Sequence, residues 1–400
     1  MTPLERRSSA SLALIFALRM LGLFLVLPVF ALEAQKFPGG GDPATVGLAM
    51  GVYGLTQGLL QIPFGMASDR FGRKPVMVVG LAIFAMGSFV AASAPTLAWL
   101  VMGRALQGAG AISAAVTALL ADQTRDAVRT KAMALVGASI GLMFALSLVV
   151  SPLLAGAVGL QGLFAITGTL ALAGIAVVVW WVPPAPRERV AARAGLSGLS
   201  TVLRHPGLLR LDFGVFVLHA VQLAMWVALP ALLVQAGLPK DQHWWVYLPA
   251  VLGSFFVMGA TLFPLEKRGF LRAVFLVAVG LVALVQLGLM LVSQGTPSLG
   301  ALAVWLFVFF CGFNVLEASQ PSMASKMAPP QARGAALGVY NSLQSLGFFA
   351  GGVAGGWLMK STGPQGLFAA CAAAMLAWLL VAWPMRAPAP ALPEACANAG

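Results

Sequence analysis

The chain has 400 residues, of which 60% are hydrophobic and 9% charged, with a formal net charge of +12. A soluble domain carries about 25% charged residues and roughly half apolar ones, so this composition excludes a water-facing globular surface and makes lipid the fitting solvent. The positive charge falls in short segments between apolar runs, where it sets membrane orientation; a bilayer is the expected partner and nucleic acid is not.

A membrane-crossing helix needs about 20 largely apolar residues. Runs of that kind predict twelve spans, at 11–33, 45–67, 75–93, 97–120, 132–154, 163–182, 210–234, 244–264, 271–292, 299–324, 334–358 and 364–383. The first run is long enough to cross and has no cleavage pattern, so it reads as span one rather than a leader. The longest connection, rich in Pro, Arg and Ala, divides the chain into two six-helix bundles, 1–183 and 209–384, joined by a loop at 184–208. The Pro/Ala-rich tail at 385–400 is expected to be disordered.

The two halves resemble each other. Leu27-Pro28 in span one recurs as Leu229-Pro230 in span seven, an offset of 202, and Arg129 opening span five matches Arg333 opening span eleven, an offset of 204. Duplicated six-helix bundles related along the membrane normal place a substrate site between them near mid-membrane. With an even span count both termini share a face. That face holds 19 Lys and Arg, the opposite face 3, and 2 lie within spans. This bias predicts both termini in the cytoplasm.

Between spans two and three the chain reads Gly65-Met66-Ala67-Ser68-Asp69-Arg70-Phe71-Gly72-Arg73-Lys74. Gly65 permits close helix approach. Asp69 suits the positive N-terminal end of a helix and, four residues from Arg73, can pair with it on a helical turn. The segment resembles the signature loop of the major facilitator superfamily, Gly-x-x-x-Asp-Arg-x-Gly-Arg-Lys, with every defining position present. That resemblance implies an all-α membrane fold of twelve helices in two pseudo-symmetric bundles, a functional monomer working by alternating access, and no cofactor. It also implies that Asp69 meets the N-terminus of span eleven near Gly334, with Asp122 as a third member, locking the halves together when the outside is open.

Span four adds Arg104-Ala105-Leu106-Gln107-Gly108-Ala109-Gly110, which resembles a second family motif. Arg104 lies seven residues from the outer end, about 10 Å deep, where a charge faces a cavity or a partner. Span five carries Gly137, Gly141, Ser151-Pro152 and Gly156, similar to the family's antiporter motif except that Ser151 stands where Gly is usual. Residues of spans one, seven, ten and eleven resemble a bacterial inner-membrane branch that carries an added C-terminal soluble domain, which is not expected here.

Three ionisable residues fall in the cytoplasmic half at similar depth: Arg19 in span one, His219 in span seven and Glu317 in span ten. A carboxyl inside a span marks a functional site by default. The expectation is that Glu317 carries a proton, His219 is coupled to it, and Arg19 biases the pair or holds an anionic part of the substrate. Asn314, Tyr53, Gln57, Gln107, Gln222 and Tyr340 are polar groups within spans that line the cavity or tie helices together. Glu33 and Asp42 flank the first outer loop, with flexible Gly39-Gly40-Gly41 between them, and read as solvated.

An intramembrane enzyme needs a nucleophile and base or metal ligands at helical spacing. His205, His219 and His243 fall in different segments, and Cys311, Cys371 and Cys396 have no ligand spacing. No phosphate-binding Gly-x-x-x-x-Gly-Lys-Ser/Thr pattern supports an ATP-driven pump, and a duplicated chain enclosing its own path disfavours a channel. The reading is a secondary transporter in a bacterial inner membrane. Proton-coupled export of a small amphiphilic or drug-like molecule leads, because the cavity is largely apolar, and proton-coupled import of a small metabolite is the alternative.

Overall fold

A computed structural model describes residues 1–184, 197–329 and 332–385. Among these residues there are helices and no strands: α1 (Pro3–Ala34), α2 (Pro43–Phe71), α3 (Arg73–Ala92), α4 (Leu97–Ala109), α5 (Ser113–Asp122), α6 (Asp126–Ala176, continued by a π-helical Val177–Trp181), α7 (Ser197–Arg204), α8 (Pro206–Gln235), α9 (Trp244–Lys267), α10 (Leu271–Val292), α11 (Leu299–Met327) and α12 (Arg333–Ala382). Lipid offers no hydrogen bonds, so a spanning segment must satisfy its backbone internally. The starts are set by capping side chains. Thr2 accepts from the Glu5 amide while Glu5 reaches back to the Thr2 amide, and Asp42 accepts from Ala44. The imidazole Nδ1 of His205 accepts from the Leu208 amide at 3.3 Å, just before Pro206 opens α8.

Among the described residues, nine helical stretches are long and apolar enough to cross a membrane. Two of these, in α6 and α12, each hold two spans back to back, turning at Gly159 (φ 67°, ψ −175°) and Gly363 (φ 69°, ψ −171°). Only glycine occupies that backbone region readily. With those turns counted, and with the more polar α2, the helices correspond to the twelve predicted spans. The two turns share a sequence, Gly159-Leu160-Gln161-Gly162-Leu163-Phe164 and Gly363-Pro364-Gln365-Gly366-Leu367-Phe368. They also share a contact: Gln161 donates to the Ala94 carbonyl at 3.1 Å and Gln365 to the Ser293 carbonyl at 3.5 Å.

Two features differ from expectation. Span four is broken: its helix stops at Ala109 and resumes at Ser113. The carbonyl of Gly110, at the break, accepts from the Ile112 amide at 2.9 Å and from Arg19 Nη2 at 3.4 Å, so a buried guanidinium adds a second donor where the helical ladder is interrupted. The predicted inter-bundle loop contains the short helix α7, whereas 185–196 and most of the tail, 386–400, lie outside the described residues.

The two halves meet along α2 and α12, which pack through bare backbone. A Cβ on Gly47 would sit 2.1 Å from the Gly352 carbonyl, one on Gly54 2.2 Å from the Ser345 carbonyl, and one on Gly356 2.4 Å from the Pro43 carbonyl. This seam covers the half of the molecule away from the termini. Toward the termini the helices part: a Cβ on Gly334 or Gly338 would meet nothing within 4 Å.

Ion pairs cover the same far rim. Glu33, expected to be solvated, is 2% exposed and accepts from Lys36 and from Lys240, each at 2.6 Å. Lys240 belongs to the other half, so the pair ties the bundles. Asp42 likewise pairs with Lys360 at 3.2 Å. The Thr45 hydroxyl and the Lys360 ammonium hold the Asp42 carboxyl below its ordinary range. A carboxylate with a lowered native pKa stabilises the fold above its unfolded value, about 3.9 for Asp, and that contribution is lost as pH falls through the native pKa. Asp42→Asn is therefore expected to lower the thermal unfolding midpoint at neutral pH and to make no difference in strong acid. Melting curves of the two proteins at both pH values check this.

Candidate functional site

The signature loop forms a compact charged cluster. Gly72, at φ 96° and ψ 150°, ends α2 and lets α3 begin immediately. That sharp reversal turns Arg73 back onto α2, where it pairs with Asp69 and donates to Ser68 Oγ at 2.7 Å. Its Nε donates to Asp122 Oδ2 at 3.1 Å, so Asp122 is a member of the cluster, as expected. Lys74 caps the end of the π-helical segment at the Val182 carbonyl, 2.8 Å away. Arg70 lies beside the Phe71 ring, with 5.4 Å between its guanidinium carbon and the ring centre. Gly65 packs near Ala114. The expected approach of Asp69 to the start of α12 is not made: Asp69 pairs with its neighbour Arg73, and Gly334 stands apart. The cluster is assembled within one half while the far rim is shut. Gly72→Ala has room for its Cβ, whose nearest neighbour would be Pro75 at 3.6 Å. Its cost is backbone strain, about 1–3 kcal/mol. The expected result is a lowered thermal midpoint, measured by melting the purified variant.

The two buried arginines sit in the first half around Tyr53. Arg19 donates to Ser113 Oγ and to Tyr53 OH, both at 2.9 Å. Arg104 donates to Gln107 Oε1 at 3.0 Å and to the carbonyls of Ala49 and Met50 at 3.4 and 3.3 Å. Gln107 in turn donates to Ser88 at 2.8 Å, so it works as a helix tie. Arg19 was expected to act on the His219 and Glu317 pair. Its hydrogen bonds go elsewhere, because residues at equal depth on different helices need not face each other.

His219 and Glu317 do come together. His219 Nε2 lies 2.8 Å from Glu317 Oε1. On its other side Nδ1 lies 2.8 Å from the Val215 carbonyl, which can only accept, so Nδ1 carries a proton. Gln344 Nε2 also reaches His219 Nε2 at 2.8 Å. With the imidazole neutral, its Nε2 lone pair takes a hydrogen from the Gln344 amide or from a protonated Glu317. With the imidazole charged, Nε2–H donates to the carboxylate and Gln344 turns its amide oxygen inward. The imidazole and the carboxyl are close enough to pass a proton between them, and Gln344 reaches the same ring nitrogen. Phe348 packs edge-on against the imidazole, with ring centres 4.9 Å apart.

Asn314, one turn from Glu317, donates to Ser254 at 2.8 Å and so ties α11 to α9. Gln222 and Tyr340 are buried, with the Gln222 Oε1 and the Tyr340 hydroxyl lacking a hydrogen-bond partner among the described residues. Gln57 is half-buried. Glu317 is not the sole acid inside the spans: Asp212 on α8 is 3% exposed, with Oδ2 unpartnered among the described residues. It lies two turns below His219 on the same helix face, and that spacing of seven was the sequence signal for it. Tyr340 lies within electrostatic reach of both Asp212 and Glu317. Gln344 carried no charge to mark it.

Above this cluster a narrow apolar cavity of about 40 Å³ lies between the halves, lined by Phe24, Phe30, Tyr53, Arg104, Leu223 and Phe348 among others. Phe348 therefore separates the cavity from His219.

The sequence profile of the Major Facilitator Superfamily matches residues 12–352 and 265–396. The chain is 42% identical to the inner membrane transport protein YajR of Escherichia coli over 97% of this chain and 85% of that protein. It is 27% identical to the multidrug resistance protein MdtH of Yersinia enterocolitica over 85% of this chain and 83% of that one. Among solved structures, the nucleoside transporter NupG superposes with a TM-score of 0.74 at 14% identity, covering 94% of this chain and 98% of that one, a likeness of fold alone.

Proposed function

The chain belongs to the major facilitator superfamily, and on that premise we propose that this multi-pass transporter exports a small amphiphilic or drug-like molecule in exchange for protons. The Lys and Arg bias supports termini that face the cytoplasm, and the relative named for the inner membrane supports that location. The observation that supports the coupling is the 2.8 Å contact between His219 Nε2 and Glu317 Oε1, two titratable groups close enough to exchange a proton. The apolar cavity supports an amphiphilic cargo, and the relatives named for inner-membrane transport and multidrug resistance point the same way.

In this reading the structure is the state closed to the outside. The α2–α12 seam and the pairs Glu33–Lys240 and Asp42–Lys360 shut the outer rim. When the outer ends part, the inner ends of α2 and α12 approach, and Asp69 meets the first turn of α12. The charged cluster around Arg73 then locks the inner face. Proton exchange at His219 and Glu317 and cargo in the cavity communicate through Phe348.

The test is transport in proteoliposomes loaded with a fluorescent amphiphile, with a pH gradient imposed in either direction. Dye movement that follows the gradient supports proton exchange and fixes its direction. Dye movement indifferent to the gradient ends the coupling reading.

A further inference from the structure

Arg19 and Arg104 are 1% and 5% exposed, and neither faces a carboxylate among the described residues. A buried guanidinium is expensive unless a counter-charge and full hydrogen bonding accompany it. Here the bonding partners are hydroxyls, an amide and backbone carbonyls, all neutral, and Arg19 Nε has no partner among the described residues. Both cations bear on one ring: Arg19 donates to the Tyr53 hydroxyl, and the Arg104 guanidinium carbon lies 5.0 Å from the Tyr53 ring centre. Arg104 and Tyr53 form one wall of the cavity between the halves, and the rest of the wall is apolar. The acids Glu317 and Asp212 lie in the opposite half of the chain, on the far side of Phe348 from the cavity.

We infer that this cavity is an anion-selective seat whose ligand is an amphiphilic monoanion, a carboxylate or sulfonate on an apolar body. The anionic head sits at Arg104 and supplies the missing counter-charge. Arg19, behind Tyr53, strengthens the positive field. The apolar body lies against Phe24, Phe30, Leu223 and Phe348 once the closed outer rim parts and the slot widens. A neutral ligand would leave the guanidinium charge uncompensated, and a cation would add to it. This inference rests on the transport reading above and narrows its cargo.

The experiment uses the full chain in phosphatidylcholine nanodiscs, which carry no net lipid charge, and three probes of matched shape: 1-naphthoate, 1-naphthamide and 1-naphthylmethylammonium. Thermal unfolding is followed across a concentration series of each. The expected result is stabilisation by naphthoate at concentrations where the amide and the ammonium give little. Arg104→Gln is expected to weaken naphthoate about tenfold, the loss of one charge-assisted contact, and to leave the amide response unchanged. Arg104→Lys keeps the charge and is expected to keep the preference for the anion. A merely structural Arg104 would lower the melting point of both variants without changing the order of the probes. That outcome, a preference for the ammonium, or a naphthoate effect no larger than that of the amide, including none from either, overturns the inference. The coupling reading fails separately: if naphthoate binds as expected but no pH gradient moves it, proton exchange is wrong while the seat stands.

Discussion

Glu317→Gln is expected to slow gradient-driven transport severely while leaving the protein folded and able to bind. The amide keeps the shape of the carboxyl and can still donate to His219 Nε2, now 2.8 Å from Oε1, so the packing of α8, α11 and α12 survives. What it removes is the group able to give up a proton and return as a charged acceptor. A hydrogen bond to a charged group contributes about 1.5–3 kcal/mol, so losing it is expected to slow proton-driven flux by about ten- to a hundredfold. Proteoliposomes with an imposed pH gradient measure the flux, and a thermal-shift titration with the transported dye measures binding. Full gradient-driven transport by the Gln variant would remove Glu317 from the coupling path. Loss of binding together with transport would make the pair a structural tie between α8 and α11.

Gly352→Val is expected to hold the transporter away from the closed outer state. A Cβ at Gly352 would lie 2.5 Å from the Gly47 carbonyl oxygen and 2.8 Å from the Gly51 backbone. These are backbone atoms of a packed helix and cannot step aside as a flexible side chain does. Overpacking of this kind costs about 1–3 kcal/mol, which shifts a two-state population about 5–150-fold. Spin labels at Thr45 and Ser361, on the far ends of α2 and α12, are expected to report a longer distance in the variant, and transport is expected to fall with it. Gly280→Ala serves as the control, because a Cβ there meets nothing within 4 Å. An unchanged label distance in Gly352→Val would mean that the seam does not control closure.

Hydropathy and charge bias made the spans legible because lipid imposes a length and a polarity that leave few alternatives. α10 begins and ends at the predicted Leu271 and Val292. The break in span four escaped notice because no proline marks it; it is fixed by a donor from Arg19, 91 residues away. The meeting of His219 and Glu317 was legible because charged residues inside spans are rare. Its third member, Gln344, is neutral and polar, a type common on membrane helices for other reasons. Depth along a helix can be counted in a sequence, but direction around it cannot, and this is why the hydrogen bonds of Arg19 to Ser113 and Tyr53 were not legible. Asp212 falls at the edge of the predicted span 210–234, whereas α8 begins earlier, at Pro206. Glu33 looked solvated because its partner Lys240 is 207 residues distant. The turn repeat at Gly159 and Gly363 was present in the sequence all along, as two copies of Gly-x-Gln-Gly-Leu-Phe.

Helices meshed by long side chains behave like gears: each tooth must be withdrawn through a rotamer change before the pair can separate. Where Gly47, Gly51 and Gly54 face Gly352, Phe349 and Ser345, most of the contact is between smooth rails. Its cohesion is dispersion spread over many atom pairs, none of which has to be unlatched individually. Such a surface resists separation in proportion to its length and offers little friction to rolling. On the transport reading proposed above, the far rim opens as one rigid movement, held by the catches at Glu33 and Asp42 and eased by the bare backbone.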